Sequence, residues 1–327
     1  MPEAPDARDI RSFLKELSEQ KWLGRQRRDW PLHLYHFSDV RNVASILRSG
    51  RVYSRRRAEE LGLHDVEIAS LDIIEGSPWA HGLARLYFRP VTPTQYHNEG
   101  IRPPEHRSKH SHCPVPVFLI FDAAEMLTRG DAQITDGNLA RQRYRIGSGA
   151  AFLRRLNFRA IYHDEPYPAS MSRGERDEIT RARCAEVVFP GEVDLSALRE
   201  VVCRTPAERT TLLTLLGPEN RQWAPRVRIQ QPGERIFYRD WTFVRDVSLT
   251  DRGVRLSIQF GSGEHTVEAN SRYPSGQRQS WRWEPVTVAG RKDLDLAVPP
   301  EVTRVFVELK IAGCLAYQGY LSRQSLY

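Results

Sequence analysis

The sequence predicts a mixed α+β domain followed by a small all-β, sandwich-like domain. Two observations support this prediction. Over the first two-thirds of the chain, apolar residues at helical spacing alternate with short apolar runs such as 115–121. Beyond residues 217–225, apolar and polar residues alternate with period two, as in half-buried antiparallel strands. The predicted units are an N-terminal helical extension at 1–30, an α+β domain at 31–217 and a β-rich accessory domain at 225–327.

The individual elements of the first part follow from the same patterns. Residues 9–23 and 40–49 each place apolar side chains on one helical face, and Gly50 is suited to end the second helix. Strands are predicted at 32–37, 83–90, 115–121, 158–163 and 179–191, a short helix at 150–156, and irregular segments at 51–82 and 92–114.

The charge of the chain permits a nucleic-acid partner without requiring one. The 327 residues carry 48 Lys and Arg against 41 Asp and Glu, and 43 of the 48 basic residues are arginine. Planar guanidinium groups suit phosphates and stack on bases. The codon usage of a GC-rich genome explains the same bias, so both interpretations stay open at this point.

The composition excludes several classes of protein. No apolar run approaches the roughly 18 residues of a membrane-spanning helix. The charged N-terminus lacks the apolar segment of a secretion signal, so we expect a cytoplasmic protein without a membrane partner. The four cysteines form no CxxC pair, which argues against a disulfide scaffold, and we expect no metal site.

Three patches of polar residues are candidates for chemistry. His36, with Ser38 and Asn42 behind it, stands near a predicted strand end and could hydrogen-bond a ribose hydroxyl or an amide. Arg89 follows an apolar strand, is fixed by the next proline, and could hold a pyrophosphate with two parallel hydrogen bonds. Glu186 opens an otherwise apolar strand, where a carboxylate is costly unless it is paired or used.

Each patch also has a structural explanation when taken alone. His36 could be a hydrogen-bonded structural histidine, and Arg89 could be a surface arginine. Glu186 could pair with Arg181 or Arg183 on an edge strand.

In combination and in this order, the three patches resemble the DarT-type ADP-ribosyltransferases, NAD-dependent toxins that modify nucleic-acid bases. In that family a strand-end histidine and a following asparagine hold NAD. A Tyr-Phe-x-x-Arg type strand, with Pro-x-x-Tyr close behind, supplies the catalytic arginine, and an Ala-Glu-hydrophobic strand supplies the catalytic glutamate. The resemblance covers about residues 30–200. It implies an ADP-ribosyltransferase-like domain with a split β-sheet and helices.

The resemblance implies a role for each candidate residue. His36, Ser38 and Asn42 would contact NAD as the co-substrate, Arg89 would hold its phosphates as the catalytic arginine, and Glu186 would be the catalytic glutamate. As nicotinamide leaves, positive charge develops on the ribose, which Glu186 would stabilise while it takes a proton from the attacking base.

The family's Thr-Asp-Gly-Asn turn resembles residues 135–138, where we expect Gly137 to adopt a left-handed conformation. Two departures affect this comparison. Ser38 stands where the family often has threonine, and Thr94 and Gln95 replace the more usual apolar pair within Pro-x-x-Tyr.

Two further segments could contact nucleic acid. Residues 139–159 contain six arginines and no acid, and we assign phosphate contacts to Arg141, Arg143, Arg145, Arg154 and Arg155. In the loop-like segment 162–178, Tyr167 could stack on a base and Arg173 could meet a phosphate. A solvated helix face and a solvated loop are the alternatives.

The sequence therefore predicts an enzyme that transfers ADP-ribose from NAD to a base in single-stranded DNA. By resemblance it would act in a toxin–antitoxin or phage-defence system, with a separate cognate antitoxin. Two alternatives stay open: the same chemistry on RNA or on a protein, and a non-catalytic nucleic-acid-binding module on a degenerate transferase fold.

Overall fold

The structure, a computed structural model, describes residues 4–63, 65–68, 78–107, 112–139 and 144–323. The α-helices are α1 (Ala7–Ser18), α2 (Val40–Ser49), α3 (Arg55–Glu60), α4 (Pro93–Asn98), α5 (Ala123–Leu127), α6 (Gly149–Arg154), α7 (Phe158–Ile161), α8 (Arg173–Ala182), α9 (Pro206–Leu216) and α10 (Asn220–Trp223). The strands of the first part are β1 (His33–Asp39), β2 (Arg51–Tyr53), β3 (Leu83–Tyr87), β4 (Pro116–Asp122), β5 (Gln133–Thr135), β6 (Ile146–Gly147), β7 (Glu186–Pro190), β8 (Glu192–Asp194), β9 (Leu198–Cys203) and β10 (Val227–Ile229). Those of the second part are β11 (Phe243–Thr250), β12 (Gly253–Phe260), β13 (His265–Arg272), β14 (Arg278–Val286), β15 (Gly290–Leu296), β16 (Arg304–Ile311) and β17 (Cys314–Ser322).

An eight-stranded sheet in the order β10-β9-β4-β1-β3-β7-β5-β6 organises the first part. Its strands pair antiparallel except for β10, which runs parallel to β9. The pairing of β1 with β4 extends over seven residue pairs, whereas β1 and β3 share one, Tyr35 with Tyr87. The sheet therefore opens between β1 and β3, and backbone and side chains on both sides of this opening become available to a ligand.

Helix α2 begins beside this opening, and local sequence signals fix both of its ends. The Asp39 side chain accepts a hydrogen bond from the Arg41 backbone amide at the start of the helix. Gly50 ends it in the left-handed conformation, with φ of 71°, and closes a hydrogen bond to the Ile46 carbonyl. These caps hold the first turn of α2, and with it Asn42, against the end of β1.

The second part of the chain is all-β, as the period-two pattern predicts. A three-stranded sheet, β11-β12-β15, packs on a four-stranded sheet, β14-β13-β16-β17. Their inward side chains form a separate apolar core that includes Val254, Ile258, Val267, Val307 and Leu309. Alternate residues of each strand point outward, so one face of each sheet is left uncovered by the other sheet.

Helix α9 joins the two parts through hydrogen bonds at its start and in its middle. Thr205, which caps the helix, donates its hydroxyl to the Val244 carbonyl, and the Gln318 amide donates to the Thr211 hydroxyl. At the same junction, the buried Arg204 pairs with Glu208 and with Glu99. Removing one member of a fully buried ion network destabilises the fold. The network of Arg204, Glu208 and Glu99 therefore holds the two parts of the chain in a fixed arrangement.

The structure corrects four predicted elements. Residues 158–161 form helix α7 rather than a strand, because the Asn157 side chain caps the Ala160 amide. Helix α4 lies within the predicted loop 92–114, with Thr92 as its cap and Pro93 at its first position. The predicted strand 179–191 is the end of α8 followed by β7.

The fourth correction concerns the segment 51–82, which we predicted to be irregular and which contains β2 and α3. After residue 225, the chain adds β10 to the central sheet by pairing it with β9. Ile236 and Phe237 are also buried in the core of the first part.

Among the described residues, no helix has both the length and the apolar character needed to cross a membrane.

Candidate active site

A cavity of about 210 Å³ lies at the opening between β1 and β3, bounded by α2, α3, Leu63 and the segment 67–68. Its wall combines apolar side chains with a small number of polar groups, which is typical of sites that bind a large organic ligand. The lining residues that carry polar side chains are His36, Ser38, Asn42, Ser45, Tyr53, Arg55, Glu67, His81, Arg85, Tyr87, Thr94, Asn98 and Asn138.

His36 presents a neutral imidazole to this cavity. Its Nδ1 lies 3.0 Å from the carbonyl oxygen of Arg85, and since a carbonyl can only accept, Nδ1 carries the proton. Burial lowers the pKa of His36 below its ordinary value, against the opposing effect of the Arg85 carbonyl. Nε2 is thus an unprotonated acceptor at neutral pH, suited to a hydroxyl of a sugar.

Asn42 has every group of its side-chain amide in use within the protein. Its Oδ1 accepts from the backbone amides of Asp65 and Val66, and its Nδ2 donates to the Val66 carbonyl and the Ser38 hydroxyl. The side chain therefore fixes the wall segment 65–66 against α2. Ser38 and Asn42, the two residues that we expected to contact NAD together with His36, line the cavity, and Asn42 shapes its wall through the segment 65–66.

Glu186 is a fully buried carboxylate behind this wall. Pairing of β3 with β7 sets Tyr87 opposite Glu186, so both side chains lie on one face of the sheet with that of Arg85. Oε2 accepts from the Leu139 amide at 3.1 Å, Arg85 Nη1 lies 3.8 Å from Oε1, and Oε1 accepts no hydrogen bond from the described residues. Burial raises the pKa of Glu186, although the Arg85 cation and the Leu139 amide act in the opposite direction.

The turn 135–138 holds the start of β7 in place. The Glu186 amide donates to the Thr135 hydroxyl, which in turn donates to the Gly137 carbonyl. Gly137 does not adopt the left-handed conformation that we predicted. A Cβ there would lie 3.0 Å from Cγ and 3.2 Å from Nη1 of Arg181, so a larger residue would require the Arg181 side chain to move by a few tenths of an ångström.

Arg89 does not line the cavity, and this corrects its predicted surroundings. The side chain is fully buried, donates to the carbonyls of Ile161 and His163, and pairs with Asp164 at 2.8 Å. Its guanidinium also lies over the Trp30 ring. Burial, together with the nearby Arg183 cation, lowers the pKa of Arg89 to about 10. Arg89 is committed to the segment that follows α7.

The spacing of the Tyr-Phe-x-x-Arg pattern explains why Arg89 does not occupy the place of the pattern's arginine. Counted from Tyr87, the arginine of the pattern falls on Val91 rather than on Arg89. Val91 has a positive φ of 50°, uncommon for a β-branched residue, and its carbonyl accepts from Arg183 and from the Tyr238 hydroxyl. This chain therefore has no arginine at that position, and the Arg183 guanidinium contacts the Val91 backbone instead.

Arg85, which lines the cavity together with Arg55, is a cationic residue that the sequence analysis missed. Arg85 lies two residues before Tyr87, on the same face of β3, and its side chain is 22% exposed. The available signal was the alternation of the segment 83–87, in which one charged side chain interrupts apolar neighbours. His36, Arg85 and Glu186 are the imidazole, guanidinium and carboxylate that the fold brings together.

The residues predicted to contact nucleic acid fall into separate groups. Arg145 pairs with Asp136, and Arg154 lies over the Phe13 ring beside Glu16 of α1, while Arg155 follows α6 and is exposed. Tyr167 stacks on His163, and Arg173 at the start of α8 is almost completely exposed. Arg141 and Arg143 lie outside the described residues. The described arginines Arg145, Arg154 and Arg155 are all exposed, and the first two pair with carboxylates of the chain.

Comparison with known proteins identifies a family that matches this part of the chain. A family model described as DarT, ssDNA thymidine ADP-ribosyltransferase, matches residues 35–238, which is more than half of the chain. The match includes β1, β3 and β7 and every residue of the cavity wall. No curated protein sequence matches the chain.

Among solved structures, similar chains include two of DarT from Thermus sp. 2.9. The complex with ADP-ribosylated ssDNA is 19% identical, with a TM-score of 0.48 and coverage of 63% of this chain and 97% of that chain. The complex with NAD+ is 19% identical, with a TM-score of 0.46 and coverage of 63% and 98%. Thermosipho africanus DarTG in complex with ADP-ribose is 20% identical, with a TM-score of 0.44 and coverage of 58% and 48%.

Proposed function

The chain belongs to the DarT family of ssDNA thymidine ADP-ribosyltransferases, as its motifs predicted, and we propose that it transfers ADP-ribose from NAD to thymidine at the cavity between β1 and β3. The observation that carries this proposal is the place of Arg85 on the cavity wall: its carbonyl oxygen lies 3.0 Å from His36 Nδ1, and its guanidinium lies 3.8 Å from the Glu186 carboxylate buried behind that wall. A neutral acceptor, a cation and a buried carboxylate are the groups that this chemistry requires.

NAD binding is assigned to the cavity wall. His36 Nε2 would accept a hydrogen bond from a ribose hydroxyl, since its Nδ1 proton is committed to the Arg85 carbonyl. The Arg85 guanidinium would bind the pyrophosphate, because a planar fork donates two parallel hydrogen bonds to neighbouring phosphate oxygens. Asn42 would support this site through the segment 65–66.

Glu186 would act as both electrostatic stabiliser and base. The bond between the nicotinamide nitrogen and ribose C1′ breaks, and its electron pair neutralises the departing pyridinium. Positive charge then develops on the sugar, which a desolvated carboxylate stabilises more strongly than one in water. In thymidine, N3 is the ring nitrogen that carries a proton; it forms the new bond to C1′ as Glu186 takes that proton.

The domain organisation supports a catalytic unit that extends further than the sequence pattern suggested. We propose an ADP-ribosyltransferase-like domain with a split sheet over residues 31–240, with helix α1 packed on its core, and an accessory domain over 241–327. The single register pair between β1 and β3 supports the split, and the pairing of β10 with β9 supports the boundary. Modified template bases would obstruct DNA copying, so we further propose a toxin role controlled by a cognate antitoxin.

The test is incubation of the full chain with labelled NAD and separate pools of ssDNA, RNA and protein. We expect label on thymidine-containing ssDNA, and none on an oligonucleotide in which every thymidine is replaced by deoxycytidine. Glu186→Gln should abolish labelling while the protein still binds ssDNA. Label that appears only on RNA or protein, or labelling that survives Glu186→Gln, would contradict the proposal.

A further inference from the structure

The outward face of the four-stranded sheet carries a cluster of arginines and aromatic rings that the catalytic site does not use. Pairing of β13 with β14 and β16 aligns Arg278, Arg272 and Phe306 across three strands, and Tyr320 on β17 continues the row. Arg304 stands on the same face of β16, two residues before Phe306. We call these five residues the arginine–aromatic face.

Contacts within the arginine–aromatic face join each ring to a guanidinium. Arg272 Cζ lies 5.1 Å from the centre of the Phe306 ring, and Arg304 Cζ lies 4.9 Å from the centre of the Tyr320 ring. The two rings meet with centroids 5.0 Å apart. Tyr320 is 51% exposed although it is a large aromatic residue. The rings therefore remain accessible instead of completing the core.

The charges of this face are unbalanced. In the part of the chain that the structure describes, no carboxylate lies within ion-pair distance of Arg272, Arg278 or Arg304. Elsewhere on the same sheet, Arg282 pairs with Glu268 and Lys310 pairs with Glu308. A purely structural role for the face would favour similar pairing, whereas a polyanionic partner compensates three neighbouring cations directly.

We propose that the arginine–aromatic face binds single-stranded DNA that flanks the modified base. Stacking on exposed rings suits unpaired bases, and unpaired guanidinium groups suit the phosphates between them. The row from Arg278 to Tyr320 crosses three inter-strand spacings, or about 14 Å, which accommodates a few nucleotides. The accessory domain lies beyond the residues matched by the family model, so this surface is an addition to the catalytic unit.

Helix α9 leaves the arginine–aromatic face open. It contacts β17 through Thr210, whose Cγ2 lies against Gly319, and through Thr211, which accepts from the Gln318 amide. Gly319 is buried and points to the opposite side of the strand from Tyr320. The catalytic unit therefore holds the accessory domain by one side while the cationic row on the other side stays free.

The test measures binding of a fluorescein-labelled oligothymidylate of 20 nucleotides to full chains that carry Glu186→Gln. Tyr320→Ser and Arg278→Glu should each weaken binding about tenfold, because stacking on one ring and one phosphate contact each contribute on that scale. The Arg278 side chain makes no hydrogen bond or ion pair to another described residue. Arg278→Glu should therefore fold even where Tyr320→Ser does not. The matched control is Arg291→Glu on β15, an exposed arginine of the other sheet, which should change affinity less than twofold.

An abasic oligonucleotide of equal length should bind more weakly than oligothymidylate, and Tyr320→Ser should remove that difference. Affinities for Tyr320→Ser and Arg278→Glu that match that of the Arg291→Glu control would overturn the proposal. The assignment of single-stranded DNA as the ligand of the arginine–aromatic face rests on the proposed function. Transfer of ADP-ribose to a four-nucleotide substrate, measured without the Glu186 change, should be unaffected by either variant. Loss of that activity in the unmodified chain would instead count against the proposed function.

Discussion

Arg85 Nη1 lies 3.8 Å from Oε1 of Glu186, at the point where the side chains of β3 and β7 share one face of the sheet. The pair is not closed by a hydrogen bond, and Arg85 also lines the cavity. The guanidinium is therefore placed between a carboxylate that needs a countercharge and a space that can hold an anion. A bound pyrophosphate would turn it toward the cavity and leave Oε1 of Glu186 free to accept a proton.

The first prediction concerns Arg85 itself. Arg85→Lys should raise the KM for NAD at least about tenfold and lower kcat, because an ammonium cannot bind two phosphate oxygens through a planar fork. Steady-state kinetics with a thymidine oligonucleotide measures both constants. The exposed Arg199, which pairs with Asp122 and Glu125 far along the sheet, provides the control as Arg199→Lys. An unchanged KM for Arg85→Lys would remove Arg85 from the proposed NAD site.

A second prediction separates Arg89 from NAD binding. Arg89→Lys should lower the free energy of unfolding by about 1–3 kcal/mol, because one amine cannot satisfy Asp164 and the carbonyls of the 161–163 segment together and leaves a buried acceptor without its hydrogen bond. Thermal denaturation measures the loss. At a temperature where the variant is folded, its KM for NAD should stay within about threefold of the unchanged chain. A variant of full stability whose KM rises steeply would show instead that Arg89 contacts the co-substrate.

The sequence predicted those residues of the candidate site whose environment is set locally. His36 follows from a short apolar strand, although it is the central residue of β1 and not near its end as we expected, and Glu186 follows from a carboxylate at the start of an apolar run. Arg85 could not be separated from 42 other arginines, because its surroundings depend on the pairing of β3 with a strand about 100 residues later. The partners of Arg89 are equally distant along the chain, at residues 161–164.

The same distinction holds for the fold. Period-two alternation was sufficient for the seven strands β11 to β17, each half-buried against one core. For residues 158–163, aromatic and β-branched side chains favoured a strand, yet the Asn157 cap and burial of Phe158 and Ile161 produce a helical turn. Local capping and tertiary contacts override propensity in so short a segment.

A third prediction concerns Asn42. Asn42→Ala removes four hydrogen bonds that join α2 to the segment 65–66 and to Ser38. We expect faster amide hydrogen exchange at Asp65 and Val66 and a KM for NAD raised about tenfold, with kcat changed less. Tyr53→Phe, which removes a hydroxyl from the same cavity wall, is the control for a change of cavity polarity, because Ser45 on α2 itself donates to Asp65. If exchange at residues 65–66 stays slow while the KM rises, Asn42 contacts NAD directly.

The last prediction uses the raised pKa of Glu186. A carboxyl whose pKa is higher in the folded state binds more protons when folded, so stability falls as pH rises from the ordinary glutamate value through the raised one. Glu186→Gln cannot ionise and should escape this loss. Its melting temperature relative to the unchanged chain should therefore be higher at pH 8 than at pH 4, a comparison that differential scanning fluorimetry makes directly. Glu264→Gln, which removes an exposed carboxylate, should show no such pH-dependent gain.

In the active enzyme, the ionisation of Glu186 should place the acid limb of kcat/KM above the ordinary glutamate pKa, because only the carboxylate can take the proton of thymidine N3. An acid limb at or below that value would mean that Glu186 does not act as the base.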